Sequence, residues 1–302
     1  MKKYIGYIVL FFAIVLAIDF GFGKVCDYLN AHAKGGATKQ MYDLCMKDQY
    51  DILIMGSSRA HHHYVPQIME DSLGMSCYNA GVDGNGIILM TGIYRMITQR
   101  YQPKLIIYDV EQAFDLFLYK ADNNCTRYLA AQKPFYSQPG IGQIFKDVSK
   151  EEYYKTYSGL CRYNSVSIPL FIDYLSFRPM DAKGYSPISG KMENEPEKKE
   201  TKGSPVIDSL KLQYMHDFIK DVSEKGISLM IVVSPKYGAV DSQSFEPIKK
   251  ICCTYHVPFV DYYADQEFMT HKEWFKEPMH LNDFGAVSFT RKLIDEIKTL
   301  RK

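Results

Sequence analysis

The sequence predicts an α/β protein: a mostly parallel sheet of about five strands with helices on both faces, preceded by an N-terminal transmembrane helix. Three observations carry that expectation. Short apolar runs alternate with helical periodicity along most of the chain, an uncharged apolar stretch opens it, and the composition is that of an ordinary globular protein. In 302 residues, hydrophobic side chains make up 46% and charged ones 24%, which excludes disordered, collagen-like and coiled-coil chains. Thirty-six basic residues against thirty-five acidic ones give a net charge of +1, so no global field draws the protein to nucleic acid and no nucleic-acid partner is expected.

Lys2 and Lys3 precede the uncharged run Tyr4 to Ile18, extended by Asp19-Phe-Gly-Phe-Gly to about the length that spans a bilayer. This is an anchor or an export signal. The small-x-small candidate for cleavage, Ala31-His32-Ala33, lies rather far downstream, which favours the anchor. Lysines before the span place the remainder outside the cytoplasm, on the periplasmic or outer side. Seven cysteines (Cys26, Cys45, Cys77, Cys125, Cys161, Cys252 and Cys253) form no CxxC pair, so they read mainly as small buried hydrophobes.

The elements follow in order. Residues 24–48 are polar and mixed, suiting a juxtamembrane stalk or short helices between an anchor at 1–23 and an α/β domain at 49–302. Asp51 to Met55 is a short apolar run ending at Gly56, the mark of a buried parallel strand, and Val65 to Leu73 has helical spacing. Ser76 to Tyr78 reads as a second strand, Ile87 to Arg100 as a helix, and Leu105 to Val110, after Pro103, as a third strand. Leu210 to Glu224 is helical and closed by Gly226. Ser228 to Val233 is the clearest buried strand, Phe245 to His256 a helix, Pro258 to Asp261 a last strand, and Gly285 to Leu300 an amphipathic helix. The Tyr- and Pro-rich stretch at about 115–205 breaks this alternation and reads as an insertion over one face, with a solvated loop near 190–205.

Two distant segments carry chemistry. Gly56-Ser57-Ser58-Arg59 lies where a strand ends and a helix starts, a position that suits helix capping as well as a nucleophile. Glu277-Pro278-Met279-His280-Leu281-Asn282 puts a carboxylate three residues before a histidine on a loop. A serine hydroxyl needs an imidazole to take its proton, and a carboxylate to hold the other ring nitrogen; Ser58, His280 and Glu277 supply the three parts.

This pairing resembles the SGNH, or GDSL, hydrolase superfamily, whose three-layer flavodoxin-like fold carries a GDS turn after the first strand and a late D-x-x-H motif. The resemblance makes Ser58 the nucleophile, His280 the base and Glu277 the acid. It covers roughly residues 50–110 and 228–300. The family's second block resembles Asn79-Ala-Gly81-Val-Asp83-Gly84-Asn85, which gives the oxyanion hole to Gly84 with the Ser58 backbone N–H, and makes Asn79 and Asn85 candidate substrate contacts. Two departures stand out. Glu277 replaces the usual Asp, and the third block, normally G-x-N-D, falls near Glu111-Gln112-Ala113-Phe114, where Gln112 is the candidate replacement donor. Losing one oxyanion donor costs about 10²–10³ in turnover.

Of His61-His62-His63, consecutive residues point in different directions and cannot all bind one ion, so no metal is expected; His62 is instead a candidate substrate contact. The glycines at 81, 84 and 86 are in the wrong order for a dinucleotide turn, and no cofactor is expected. The sequence also lacks a G-x-S-x-G elbow, an H-E-x-x-H helix and a Walker loop.

The resulting expectation is a membrane-anchored extracytoplasmic serine esterase or O-acyltransferase acting on acyl esters of glycans or other envelope polymers. Its architecture looks like that of the anchored partner proteins of teichoic-acid D-alanylation, which implies a membrane-bound O-acyltransferase as partner. The competing expectation is a catalytically inactive SGNH-fold binding or assembly protein serving such an acyltransferase.

Overall fold

Ile52, Leu53, Ile54 and Met55 are apolar on both sides of the chain, and only a central strand with both faces covered buries all four. In the computed structural model, which describes residues 2–118, 126–193 and 206–300, they are fully buried. The described elements run α1 (Lys2–Ala31), α2 (Gly36–Met46), β1 (Ile52–Gly56), α3 (Ser58–His63), α4 (Pro66–Leu73), β2 (Cys77–Asn79), α5 (Ile87–Thr98), β3 (Leu105–Asp109) and α6 (Gln112–Asp115). After the insertion come α7 (Ser209–Glu224), β4 (Ser228–Val233), α8 (Glu246–Thr254), β5 (Phe259–Asp261), β6 (Phe275–Glu277), β7 (His280–Leu281) and α9 (Asp283–Leu300).

The five strands form one parallel sheet in the order β2-β1-β3-β4-β5, the doubly wound arrangement in which ligands bind beyond the carboxyl ends of the strands. Every strand and helix read from periodicity is present. The differences lie at the punctuation. Pro66 starts α4 as a separate helix, because it fits a first turn, and Gly74 closes that helix in the left-handed conformation with its N–H on the Glu70 carbonyl. The expected loop at Glu277–His280 is the tight connection of a two-stranded antiparallel ribbon, β6 and β7. None of the six cysteines among the described residues is in a disulfide; Cys125 and residues 194–205 of the expected solvated loop lie outside the described residues.

The chain divides into two units, residues 48–123 with 181–302, and residues 1–47 with 124–180. The first holds the sheet. In the second, α1 continues past the apolar run through Lys24 to Ala31. Its most apolar 18-residue window has a mean hydropathy of 2.4 and no buried residue, the character of a membrane anchor or a signal sequence. The later part of α1 packs within its unit. Gly23 and Gly159 let two helices approach, since a Cβ on Gly159 would meet the Asp19 carbonyl at 2.4 Å. The Asp19 carboxylate accepts from Ser158 Oγ at 2.7 Å and from the Gly159 and Leu160 N–H groups at 3.0 and 2.9 Å. Cys26 and Leu29 then share a small core with Tyr163 and Leu170 of the insertion helices.

One buried carboxylate ties the sheet to two helices. Asp115 is fully buried and accepts from the Ile87 N–H at 2.7 Å, the Tyr108 hydroxyl at 2.6 Å and the Glu111 N–H at 2.7 Å. It thereby caps α5, whose own N-cap, Gly86, has no side chain to offer. Burial pushes the Asp115 carboxyl up to about 7, against the donors that pull it down. A carboxyl with a raised native pKa binds its proton more tightly in the folded state. Its contribution is therefore full below about pH 4 and is lost as pH rises through about 7. Unfolding free energy measured by denaturant at pH 5 and pH 8 is expected to fall with pH in the wild type, by about 2–3 kcal/mol from this group. The Asp115→Asn variant should lack that part of the fall, whatever its absolute stability.

Candidate active site

The site begins with the turn after β1. Gly56 has φ +143, outside the range of an L side chain, and a Cβ there would meet the Asp109 carbonyl at 2.5 Å. The sharp exit starts α3 immediately, and the helix sorts its residues by face. Ser58, His61 and His62, spaced i, i+3 and i+4, share the outer side, whereas Arg59 and His63 are buried. Gly81 lets the turn after β2 press against α3, since a Cβ would meet the His61 nitrogen at 2.4 Å. Asn79 completes the clamp, donating to the Ala60 and Tyr64 carbonyls at 2.7 and 3.1 Å and accepting from the Gly81 N–H at 2.9 Å.

Neither serine of the turn caps the helix with its side chain. Ser57 is the N-cap but makes no side-chain cap bond, and the Ser58 hydroxyl lies 2.7 Å from His280 Nε2. The His280 Nδ1–H donates to Glu277 Oε1, and Glu277 Oε2 accepts from the Met279 N–H at 3.0 Å. Glu277 and His280 are cross-strand partners on β6 and β7, with only Pro278 and Met279 between them. The three-residue spacing is thus what a two-residue turn needs to set a carboxylate against an imidazole. Burial raises the Glu277 carboxyl, but the bond from His280 and that from the Met279 N–H outweigh it and hold the group below the usual carboxylate range. It stays ionised, and the imidazole keeps its proton on Nδ1 with Nε2 turned to the serine.

A buried polar chain beneath these residues had no sequence motif to announce it. His63 Nε2 accepts from the Leu281 N–H at 3.0 Å, adjacent to His280, and its Nδ1–H reaches Ser234 Oγ at 2.9 Å. Ser234 Oγ donates to Asp109 Oδ2 at 2.6 Å while its N–H donates to Oδ1 at 3.0 Å. Arg59 Nε donates to Ser234 Oγ at 3.1 Å, and a second guanidinium nitrogen donates to the Ser234 carbonyl. Burial and the neighbouring Arg59 charge hold His63 well below the ordinary imidazole range, so it is neutral, as an acceptor at Nε2 requires. The available signal was the placing of Asp109 and Ser234 at the carboxyl ends of β3 and β4.

The other expected site residues are placed as follows. Gly84 sits in the turn between β2 and α5 with φ +67. Gln112 opens α6, where its amide donates to Ser244 and accepts from the Tyr263 hydroxyl at 3.3 Å, while Glu111 caps the helix through the Ala113 and Phe114 N–H groups. Asn79 is buried at 1% exposure, with both amide ends spent on backbone, which makes it a positioning residue rather than a substrate contact. Asn85 donates to the Asp83 carbonyl at 3.0 Å. The His62 ring lies 5.6 Å from that of His280 and edge-on to it.

No protein-family model matches the chain, and no curated protein matches it. Among solved structures it is similar, at 13% identity and a TM-score of 0.40, to one provisionally described as a platelet activating factor from Streptococcus pneumonia, over 96% of this chain and 98% of that one.

Ser234→Ala tests the buried chain. It removes the donor to Asp109 and the acceptor of the His63 N–H, both buried. The denaturant midpoint is expected to fall by the equivalent of about 1–3 kcal/mol with an unchanged slope.

Proposed function

We propose that the chain is a membrane-anchored, extracytoplasmic serine esterase or O-acyltransferase of the SGNH type. The observation that supports this reading is the 2.7 Å contact between Ser58 Oγ and His280 Nε2, with the other ring nitrogen on Glu277. In this arrangement Ser58 Oγ attacks an ester carbonyl and its proton passes to His280 Nε2. Collapse of the tetrahedral intermediate breaks the bond to the leaving alcohol, which takes the proton from His280 and leaves the acyl group on Ser58. Water or a sugar hydroxyl then attacks that acyl ester, giving its proton to the same nitrogen, and Ser58 is regenerated. Glu277 stays ionised throughout and stabilises the imidazolium. The Ser58 and Gly84 N–H groups are the oxyanion donors of this proposal; the Gln112 side chain, engaged by Ser244 and Tyr263, is not among them.

The apolar α1 supports the anchored part of the reading, and the lysines before it support an extracytoplasmic domain. Acyl esters of glycans or envelope polymers are the substrate class, and a membrane-bound O-acyltransferase is the partner that could supply or receive the acyl group.

A fluorophosphonate probe, which reacts with activated serines, tests the reading on the full chain in detergent. Wild-type protein should label, Ser58→Ala and His280→Ala should not, and Glu277→Gln should label more slowly by about 10⁴-fold, as loss of the orienting acid does in a serine triad. A folded wild type that never labels would favour the inactive binding or assembly protein, as would survival of every cellular function in Ser58→Ala.

A further inference from the structure

The outer face of α3 carries a second polar cluster that the Ser58 chemistry does not use. His61 Nδ1 lies 2.8 Å from Asp83 Oδ1, and His62 Nε2 lies 3.2 Å from the same oxygen. The remaining ring nitrogens are also committed: His61 Nε2 is 3.2 Å from Asp181 Oδ2, and His62 Nδ1 is 2.6 Å from the Ser186 carbonyl. All four nitrogens thus face oxygens that can only accept.

That count does not close with neutral rings. A neutral imidazole has one N–H, so one nitrogen of each ring would meet an oxygen lone pair to lone pair. Protonating both rings satisfies every contact but places two cations in rings whose centroids are 4.6 Å apart, with the repulsion offset in part by the Asp83 and Asp181 carboxylates. A divalent cation removes both difficulties. With the ion bound by His61 Nδ1, His62 Nε2 and Asp83, each ring is neutral, and its single N–H donates to Asp181 or to the Ser186 carbonyl. A carboxylate or backbone carbonyl behind each ligating imidazole is the usual outer shell of a metal site.

We propose that His61, His62 and Asp83 bind one divalent cation of the zinc class, with Asp181 and the Ser186 carbonyl as its outer shell. The donor set of two imidazoles and a carboxylate suits zinc, and three protein ligands leave a coordination position open. The candidate ligand atoms lie within 4.8 Å of one another. Tetrahedral zinc holds such atoms about 3.3 Å apart, so binding draws the ligand atoms together by up to about 1.5 Å. Asp83 has 60% of its side chain exposed, which gives the ion an entry path, while His61 and His62 are 18% and 12% exposed and held from behind. The rule that three consecutive histidines cannot share an ion is respected: His63 points inward to Leu281 and Ser234, and the third ligand comes from the turn after β2.

Ser58 and His62 are one helical turn apart on the same face of α3, and the cation sits beside that face. Its open position suits an oxygen of a substrate held next to Ser58. Metal binding itself does not depend on Ser58 acting as a nucleophile.

The test is a Zn²⁺ titration of the full chain, purified in detergent without a histidine tag and stripped by chelator, in competition with a chromophoric chelator. The wild type should take up one equivalent. His61→Ala and Asp83→Asn should each weaken binding by tenfold or more, Asp181→Asn by about 10–100-fold through the outer shell, and His271→Ala, an exposed histidine elsewhere, should leave it unchanged. Asp83→Asn keeps the side-chain shape, so it decides the matter if His61→Ala does not fold, as read by circular dichroism. A folded wild type that takes up no zinc, or uptake indifferent to Asp83→Asn, overturns the proposal.

Discussion

The run of hydrogen bonds from Asp109 through Ser234 and His63 to the Leu281 N–H is the constraint on which the site geometry depends. Ser58 belongs to a turn near the start of the sheet, whereas His280 and Glu277 belong to a ribbon near the end of the chain, more than two hundred residues later. Nothing covalent keeps them in register. His63 does so because it lies on the same short helix as Ser58 and accepts from the residue next to His280. Burial makes the arrangement stringent: a neutral imidazole, a hydroxyl and a carboxylate, all excluded from water, must satisfy one another in one fixed order.

Both faces of α3 are therefore occupied by polar chemistry of different kinds. Its inner face holds Arg59 and His63 in a dry network, and its outer face presents Ser58, His61 and His62. A helix of six residues contributes little stability on its own account. It is held by what surrounds it: the Asn79 amide on its terminal carbonyls, the missing Cβ of Gly81 at its flank, and the α9 helix, whose Thr290 accepts from the Val65 N–H.

The sheet was legible because parallel strands buried on both faces must be continuous apolar runs, and Ile52–Met55 and Leu229–Val233 leave no other reading. Ser58, His280 and Glu277 were legible as the three parts of a nucleophile, base and acid set and through the family resemblance, whereas the paired strands that bring Glu277 to His280 were not, because two short strands around a two-residue turn read as a loop. The supporting residues were not. Asp109 and Ser234 are single polar residues at strand ends, and nothing in their spacing connects them to one another or to His63. The same holds for Asp83, which no local motif joins to His61 and His62. Pairings between distant segments are written by the sheet order, which sequence periodicity does not specify.

The Asp19 carboxylate, at the end of the apolar run of α1, has a further consequence. Three donors from residues 158–160 neutralise its demand for water, and Cys26 and Leu29 below it cover Tyr163 and Leu170. The later part of the helix is thus packed into its own unit. Proteolytic loss of α1 would strip the insertion helices of their apolar cover and leave Arg162 and Tyr163 without the carboxylate of Asp27 that they share.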